Sequence, residues 1–129
     1  MKIMMYYDGT DHTKEALPVV MMRAKAFNAE VHVVASLPRG EEADLEDIEK
    51  MNEDLAYIQG VFEKQQVSCE THLFITGHNV GDDIIAFAGK HKVDEIIIAT
   101  DKKSMMERLF AGWTARRVIG NTRCPVLLA

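Results

Sequence analysis

Cysteine is scarce in this chain: there are only Cys69 and Cys124, far apart and in neither a CxxC nor a metal-ligand spacing. That excludes a disulfide framework and points to buried thiols. Long hydrophobic runs are missing too. No apolar stretch approaches the roughly 20 residues of a membrane span. Lys2 is followed by only five apolar residues before Asp8, too short a run for a secretory leader, so a cytoplasmic address is expected. Cations are outnumbered, 15 Lys and Arg against 20 Asp and Glu, for a net charge of −5. Phosphate backbones are bound by clustered cations, so no nucleic-acid partner is expected, and without a spanning apolar run no membrane partner is expected either. The one basic cluster, Arg116 and Arg117 with Arg123, reads as cations complementing a helix C-terminus.

Catalytic signatures are also lacking. There is no G-x-S-x-G, H-E-x-x-H, G-x-x-x-x-G-K or G-x-G-x-x-G, so the usual hydrolase, metallopeptidase, P-loop and dinucleotide readings have no parts to work with. No catalytic residue is assigned. The five histidines, His12, His32, His72, His78 and His91, are scattered. His32 and His72 face each other on neighbouring predicted strands, but with no carboxylate or cysteine read at matching positions, no metal site is expected.

What is present is a balanced domain: 129 residues, 47% hydrophobic and 27% charged, long enough to bury one core. Residues 1–129 are read as a single unit. Short apolar runs bounded by turn residues predict strands at Ile3–Tyr7, Val31–Ala35, Cys69–Ile75, Glu95–Ala99 and Val126–Ala129. Between them, helical spacing joins Ala16, Val20, Ala24 and Phe27, with Pro18 predicting a kink or a late start. A long acidic helix within Glu41–Gln66 carries the stripe Leu45, Ile48, Met51, Leu55, Ile58 and Phe62. A third helix runs through Val80, Ile84, Ala88 and His91, capped by Asn79, with Asp82 and Asp83 in its first turn. A short apolar helix is predicted at Met105–Phe110 and a last one opening at Gly112-Trp113-Thr114. Alternating strands and helices joined by right-handed crossovers give an α/β domain, an open parallel five-stranded sheet with helices on both faces. Its ligands sit outside the carboxyl ends of the strands.

The runs Asp8 to Leu17, Gly77-His78-Asn79-Val80-Gly81-Asp82-Asp83-Ile84, Val93 to Thr100, Arg108 to Gly112 and Arg123-Cys124-Pro125-Val126-Leu127-Leu128 resemble the universal stress protein family over nearly the whole chain. The resemblance implies strand order 3-2-1-4-5, an adenine nucleotide alpha hydrolase-like fold, and ATP or AMP as the ligand class. It places Asp8 beside the adenine, Thr10 in the same loop, and Ser36 where a backbone reads the adenine edge. Asp8 has a second reading, as a cap of the helix that follows it. In ATP-binding members the phosphates lie on a glycine, two residues, a glycine, nine residues, a glycine, then Ser or Thr. Those positions here are Ala99, Lys102, Gly112 and Trp113, with Thr114 one residue later. Glycines let the backbone approach phosphate closely, and a helix N-terminus completes the cradle. A lysine and an indole in their place make this a degraded site, although Lys102 can meet a phosphate as a point charge. The expected role is therefore stress-response signalling without catalysis; a functional ATP-binding member or a weak nucleotide hydrolase is the alternative. The apolar last strand, Val126, Leu127 and Leu128, is an edge that invites a second chain, and the family resemblance implies a homodimer through it.

Three rivals fit less well. An adenine-nucleotide alpha hydrolase enzyme needs a Ser-Gly-Gly-x-Asp-Ser loop where Asp8-Gly9-Thr10-Asp11 stands. A receiver domain needs an aspartate after its third strand, where Ile75-Thr76 lies. In a flavodoxin, Asp8 and Asp11 would repel the flavin phosphate.

Overall fold

A computed structural model describes residues 1–37, 45–99 and 113–129 of the chain. The predicted loop with Pro38 and Gly40, the polar loop after Ala99 and the helix Met105–Phe110 lie outside the described residues. Five strands, β1 (Lys2–Tyr6), β2 (Glu30–Ser36), β3 (Cys69–Phe74), β4 (Glu95–Ile98) and β5 (Val126–Leu128), form one sheet in the order β3-β2-β1-β4-β5. All pairs are parallel, with Met4 opposite both His32 and Ile96. Strand order and architecture agree with the expectation.

The sheet is buried where two helical layers cover it, which is why β4 reads as a continuous apolar run rather than an alternating one. On one face Ile3, Met5, Val31, Val33 and Ile97 meet Val20, Leu55, Ile58 and Phe62. On the other, Met4, Val34, Ile96 and Ile98 meet Ile84, Phe87 and Val118. Each fully buried side chain of this size, Ile97 for example, contributes about 1.5–3 kcal/mol.

The helices are α1 (Asp11–Glu15), α2 (Leu17–Phe27), α3 (Leu45–Lys64), α4 (Val80–His91) and α5 (Trp113–Asn121). Pro18 produces the late start: the helical run breaks at Ala16, and Pro18 falls in the first positions of α2, where its missing N–H costs nothing. Asn28 ends α2 in the left-handed conformation at φ 50°. Two predicted core positions differ. Leu45 is 70% exposed at the first turn of α3, and Phe27 is 51% exposed, its ring 5.4 Å beneath the Arg23 guanidinium. Arg23 itself forms a two-pronged ion pair with the buried Glu95.

Asn79 caps α4 as expected, accepting the Asp82 backbone N–H at 2.8 Å. Of the basic cluster, Arg116 and Arg117 lie within α5 rather than in its last turn, and Arg123 follows the helix. Arg117 lies mid-helix in α5 and donates from Nε to Asp82 Oδ1 at 2.7 Å, joining α5 to α4. That bond, ahead of other influences, holds the Asp82 carboxyl below the usual carboxylate range. Among the described residues no helix is long and apolar enough to cross a membrane.

Candidate functional site

The strand ends on either side of the crossover point carry the residues expected to form a site. Asp8 follows β1, Ser36 ends β2, and Ala99 follows β4, which is the arrangement of a ligand crevice outside the carboxyl ends of a parallel sheet. Gly9, at φ +84°, turns the chain away from β1 in a conformation that L side chains resist. Asp8 organises that turn. Its Oδ1 accepts the Thr10 backbone N–H at 2.9 Å, the Thr10 hydroxyl at 2.5 Å and the Thr13 hydroxyl at 3.1 Å. Its Oδ2 lies 3.8 Å from His12 Nε2. Thr10 is the N-cap residue of α1, but its hydroxyl is spent on Asp8 rather than on the helix. Thr114 lies half-buried in the first turn of α5, which Trp113 opens. Lys102 and Gly112 lie outside the described residues. Val126, Leu127 and Leu128 form the edge strand, paired with Ile96, Ile97 and Ile98 and half-buried.

Sequence reasoning missed the importance of Asp83. It was expected to favour the helix dipole; in the fold it is only 7% exposed and accepts the Ser36 hydroxyl at 2.8 Å and the Thr76 hydroxyl at 2.9 Å. A buried carboxylate needs such donors. Ser36 ends β2, Thr76 follows β3, and Asp83 lies in the first turn of α4, so all three stand at the carboxyl-end level of the sheet, and that shared level was the available signal. Between the two aspartates, the Tyr6 hydroxyl is pushed up to about 12, first by burial and then by the charges of Asp8 and Asp83. A phenol held this way stays a hydrogen-bond donor at neutral pH.

A second polar cluster lies on the α4 face of β2 and β3, and it corrects the reading of the histidines. Carboxylates do stand at matching positions. The register pairs His32 with Glu70, and since alternate residues of a strand share a face, Glu30, His32, Glu70 and His72 all project to the same side. His32 Nδ1 is 3.2 Å from His72 Nε2 and 3.5 Å from Glu70 Oε2, and His72 Nε2 is 3.8 Å from the same carboxylate oxygen. On its other side His32 Nε2 meets Glu30 Oε1 at 2.9 Å. The His32 contact, ahead of weaker influences, holds the Glu30 carboxyl below the usual range. Burial, then His32, pushes the His72 imidazole down. His91, on the last turn of α4, stacks on Phe87 at 4.1 Å, with its ring centre 5.9 Å from that of His72 and 6.1 Å from that of His32. A cavity of about 420 Å³ runs from His72 and His91 past Phe87 to Thr76 and Asp83. It therefore joins this cluster to the buried carboxylate at the strand ends.

Comparison with known proteins agrees with the fold. A family model described as the universal stress protein family matches residues 1–129. A universal stress protein of Methanocaldococcus jannaschii is 32% identical over 140 residues, covering 98% of this chain and 80% of that protein. A solved universal stress protein from Archaeoglobus fulgidus superposes with a TM-score of 0.83 at 31% identity, covering 99% of this chain and 92% of that one. Another structure from Archaeoglobus fulgidus, a universal stress protein in complex with dAMP, gives a TM-score of 0.79 at 29% identity, covering 99% and 96%.

Proposed function

This chain belongs to the universal stress protein family, and we propose that it is a small cytoplasmic stress-response signalling protein that binds an adenine nucleotide without turning it over. The observation that carries this reading is the convergence of Asp8, Ser36 and Ala99 at the carboxyl ends of β1, β2 and β4, three adjacent strands. The dAMP complex of a relative 29% identical to this chain supports the adenine end of the ligand. Charge supports the same end. Asp8 and Asp83 repel phosphate, while a carboxylate, a protonated Tyr6 and strand-end backbone groups suit a base and a ribose.

The triphosphate end is the degraded part, because Lys102 and Trp113 replace residues whose smallness the family uses against phosphate. The order of affinity is then AMP at or above ATP. The alternative, a functional ATP site rescued by Lys102 and Thr114, reverses that order. The dimer forms through β5, whose three residues pair with β4 on one side and close the sheet's edge on the other.

Native mass spectrometry of protein purified without added nucleotide, followed by calorimetric titration with AMP, ADP and ATP, tests both readings. Micromolar AMP binding, weakened at least about tenfold by Asp8→Ala, which corresponds to one lost charge-assisted hydrogen bond, is the expected result. ATP binding tighter than AMP and lost in Lys102→Ala favours the alternative. Silence at millimolar concentrations of all three overturns nucleotide binding.

A further inference from the structure

We propose that His32, Glu70 and His72 form a binding site for a divalent transition-metal ion of the zinc class, clipping the edge strand β3 to β2. The site is independent of the nucleotide reading. The same three atoms make all three short separations: His32 Nδ1 to His72 Nε2 is 3.2 Å, His32 Nδ1 to Glu70 Oε2 is 3.5 Å, and His72 Nε2 to Glu70 Oε2 is 3.8 Å. A tetrahedral zinc ion holds nitrogen and oxygen ligands at about 2.0–2.1 Å, which spaces the ligand atoms about 3.4 Å from one another. The triangle already has that size. An ion near its centre reaches all three atoms without backbone movement.

The surroundings are those of a metal ligand set. Metal-binding imidazoles commonly donate their other N–H to a carboxylate, which orients the ring and raises its basicity. His32 does this, with Nε2 2.9 Å from Glu30 Oε1. A carboxylate only accepts, so the proton sits on His32 Nε2 and the Nδ1 lone pair faces the triangle. Without an ion, His72 Nε2–H donates to that lone pair. When an ion binds, the His72 proton moves to Nδ1, both facing nitrogens coordinate as neutral imidazoles, and Glu70 coordinates as a carboxylate. The fourth position is left to water or to His91, whose ring centre is 5.9 Å from that of His72.

The two ends of the site differ in a useful way. The His32 side chain is only 4% exposed and tied to Glu30, whereas the Glu70 side chain is 68% exposed and opens a route from solvent. Two imidazoles and one carboxylate, with no thiolate, suit zinc, cobalt(II), nickel(II) or copper(II) better than the all-oxygen cages of calcium and magnesium.

The test uses the full chain stripped with a chelator, then titrated with zinc against a chromophoric competitor and, separately, with cobalt(II) followed by visible absorption. One ion per chain at submicromolar affinity, with the strong visible bands of four-coordinate cobalt, is the expected result. His72→Ala and Glu70→Gln should each weaken binding by at least about tenfold, the scale on which removing groups around a metal is felt. His78→Ala, outside the triangle, should leave it within about twofold of the wild type. Glu70→Gln changes one atom of an exposed side chain, so it reports on coordination even if a histidine variant misfolds by circular dichroism. No zinc bound below about 100 μM, or binding that survives Glu70→Gln unchanged, overturns the site.

Discussion

Replacing Ser36 with alanine should destabilise the protein by about 2 kcal/mol, a hydrogen bond to a buried charge rather than an ordinary one. The Ser36 hydroxyl donates at 2.8 Å to Asp83, a carboxylate only 7% exposed, and the remaining donor of comparable length is the Thr76 hydroxyl at 2.9 Å. Removing one of two donors leaves the charge under-solvated where water has little access. An unfolding entropy of about 2.1 cal/mol/K per residue gives ~0.27 kcal/mol/K for 129 residues, so the melting midpoint should fall by about 7 °C. Urea unfolding followed by circular dichroism should show the same loss with an unchanged slope, since the surface exposed on unfolding is the same. The cause is separable from packing. In an Asp83→Asn background the acceptor is neutral, and Ser36→Ala should cost about 1 kcal/mol less than in the wild type. A midpoint shift under about 1 °C, or equal losses in the two backgrounds, would refute the account of Asp83 as a buried charge held by hydroxyls.

Two further outcomes follow from single positions. Gly9→Ala should cost about 1–2 kcal/mol in urea unfolding through backbone strain alone, because φ is +84° while the added methyl would meet only Met51 Cε, at 3.8 Å. The Cys69 thiol is pushed up to about 12, first by burial and then by Glu63 and Glu70, so at pH 8 a disulfide-exchange reagent should label the half-buried Cys124 first. Cys69 should react only as the protein unfolds; labelling of both at equal rates in native buffer would contradict its burial.

Much of the fold was legible because parallel strands covered on both faces are nearly continuous apolar runs, as Ile3 to Tyr7 and Ile96 to Ile98 are, and as Val31 to Ala35 is apart from His32. Asn79 before Val80 and Pro18 near the start of α2 were legible for a local reason, since caps and missing N–H groups act within one turn. Phe27 and Leu45 misled because periodicity counts the end residue of a stripe as core, whereas the fold leaves both exposed, Phe27 beneath the Arg23 guanidinium. The strand-end position of Asp8 could be read from the apolar run that stops before it. Its binding partners could not, because Thr10 and Thr13 compete for the same oxygen that a ligand would use.

The sequence by itself determined which segments become strands and helices and which face of each is apolar, for those follow from neighbours within a few residues. The strand order came from likeness to a family, not from periodicity. Only the tertiary structure decided that Asp83 is a buried acceptor and that His32, Glu70 and His72 converge. Alternation places Glu30 with His32, and Glu70 with His72, on one side of their own strands. Whether the two sides coincide depends on the register between β2 and β3, and a slip of one residue would turn Glu70 and His72 to the opposite face. That register is set by the whole packed layer of helices around the sheet, which no local window of residues contains.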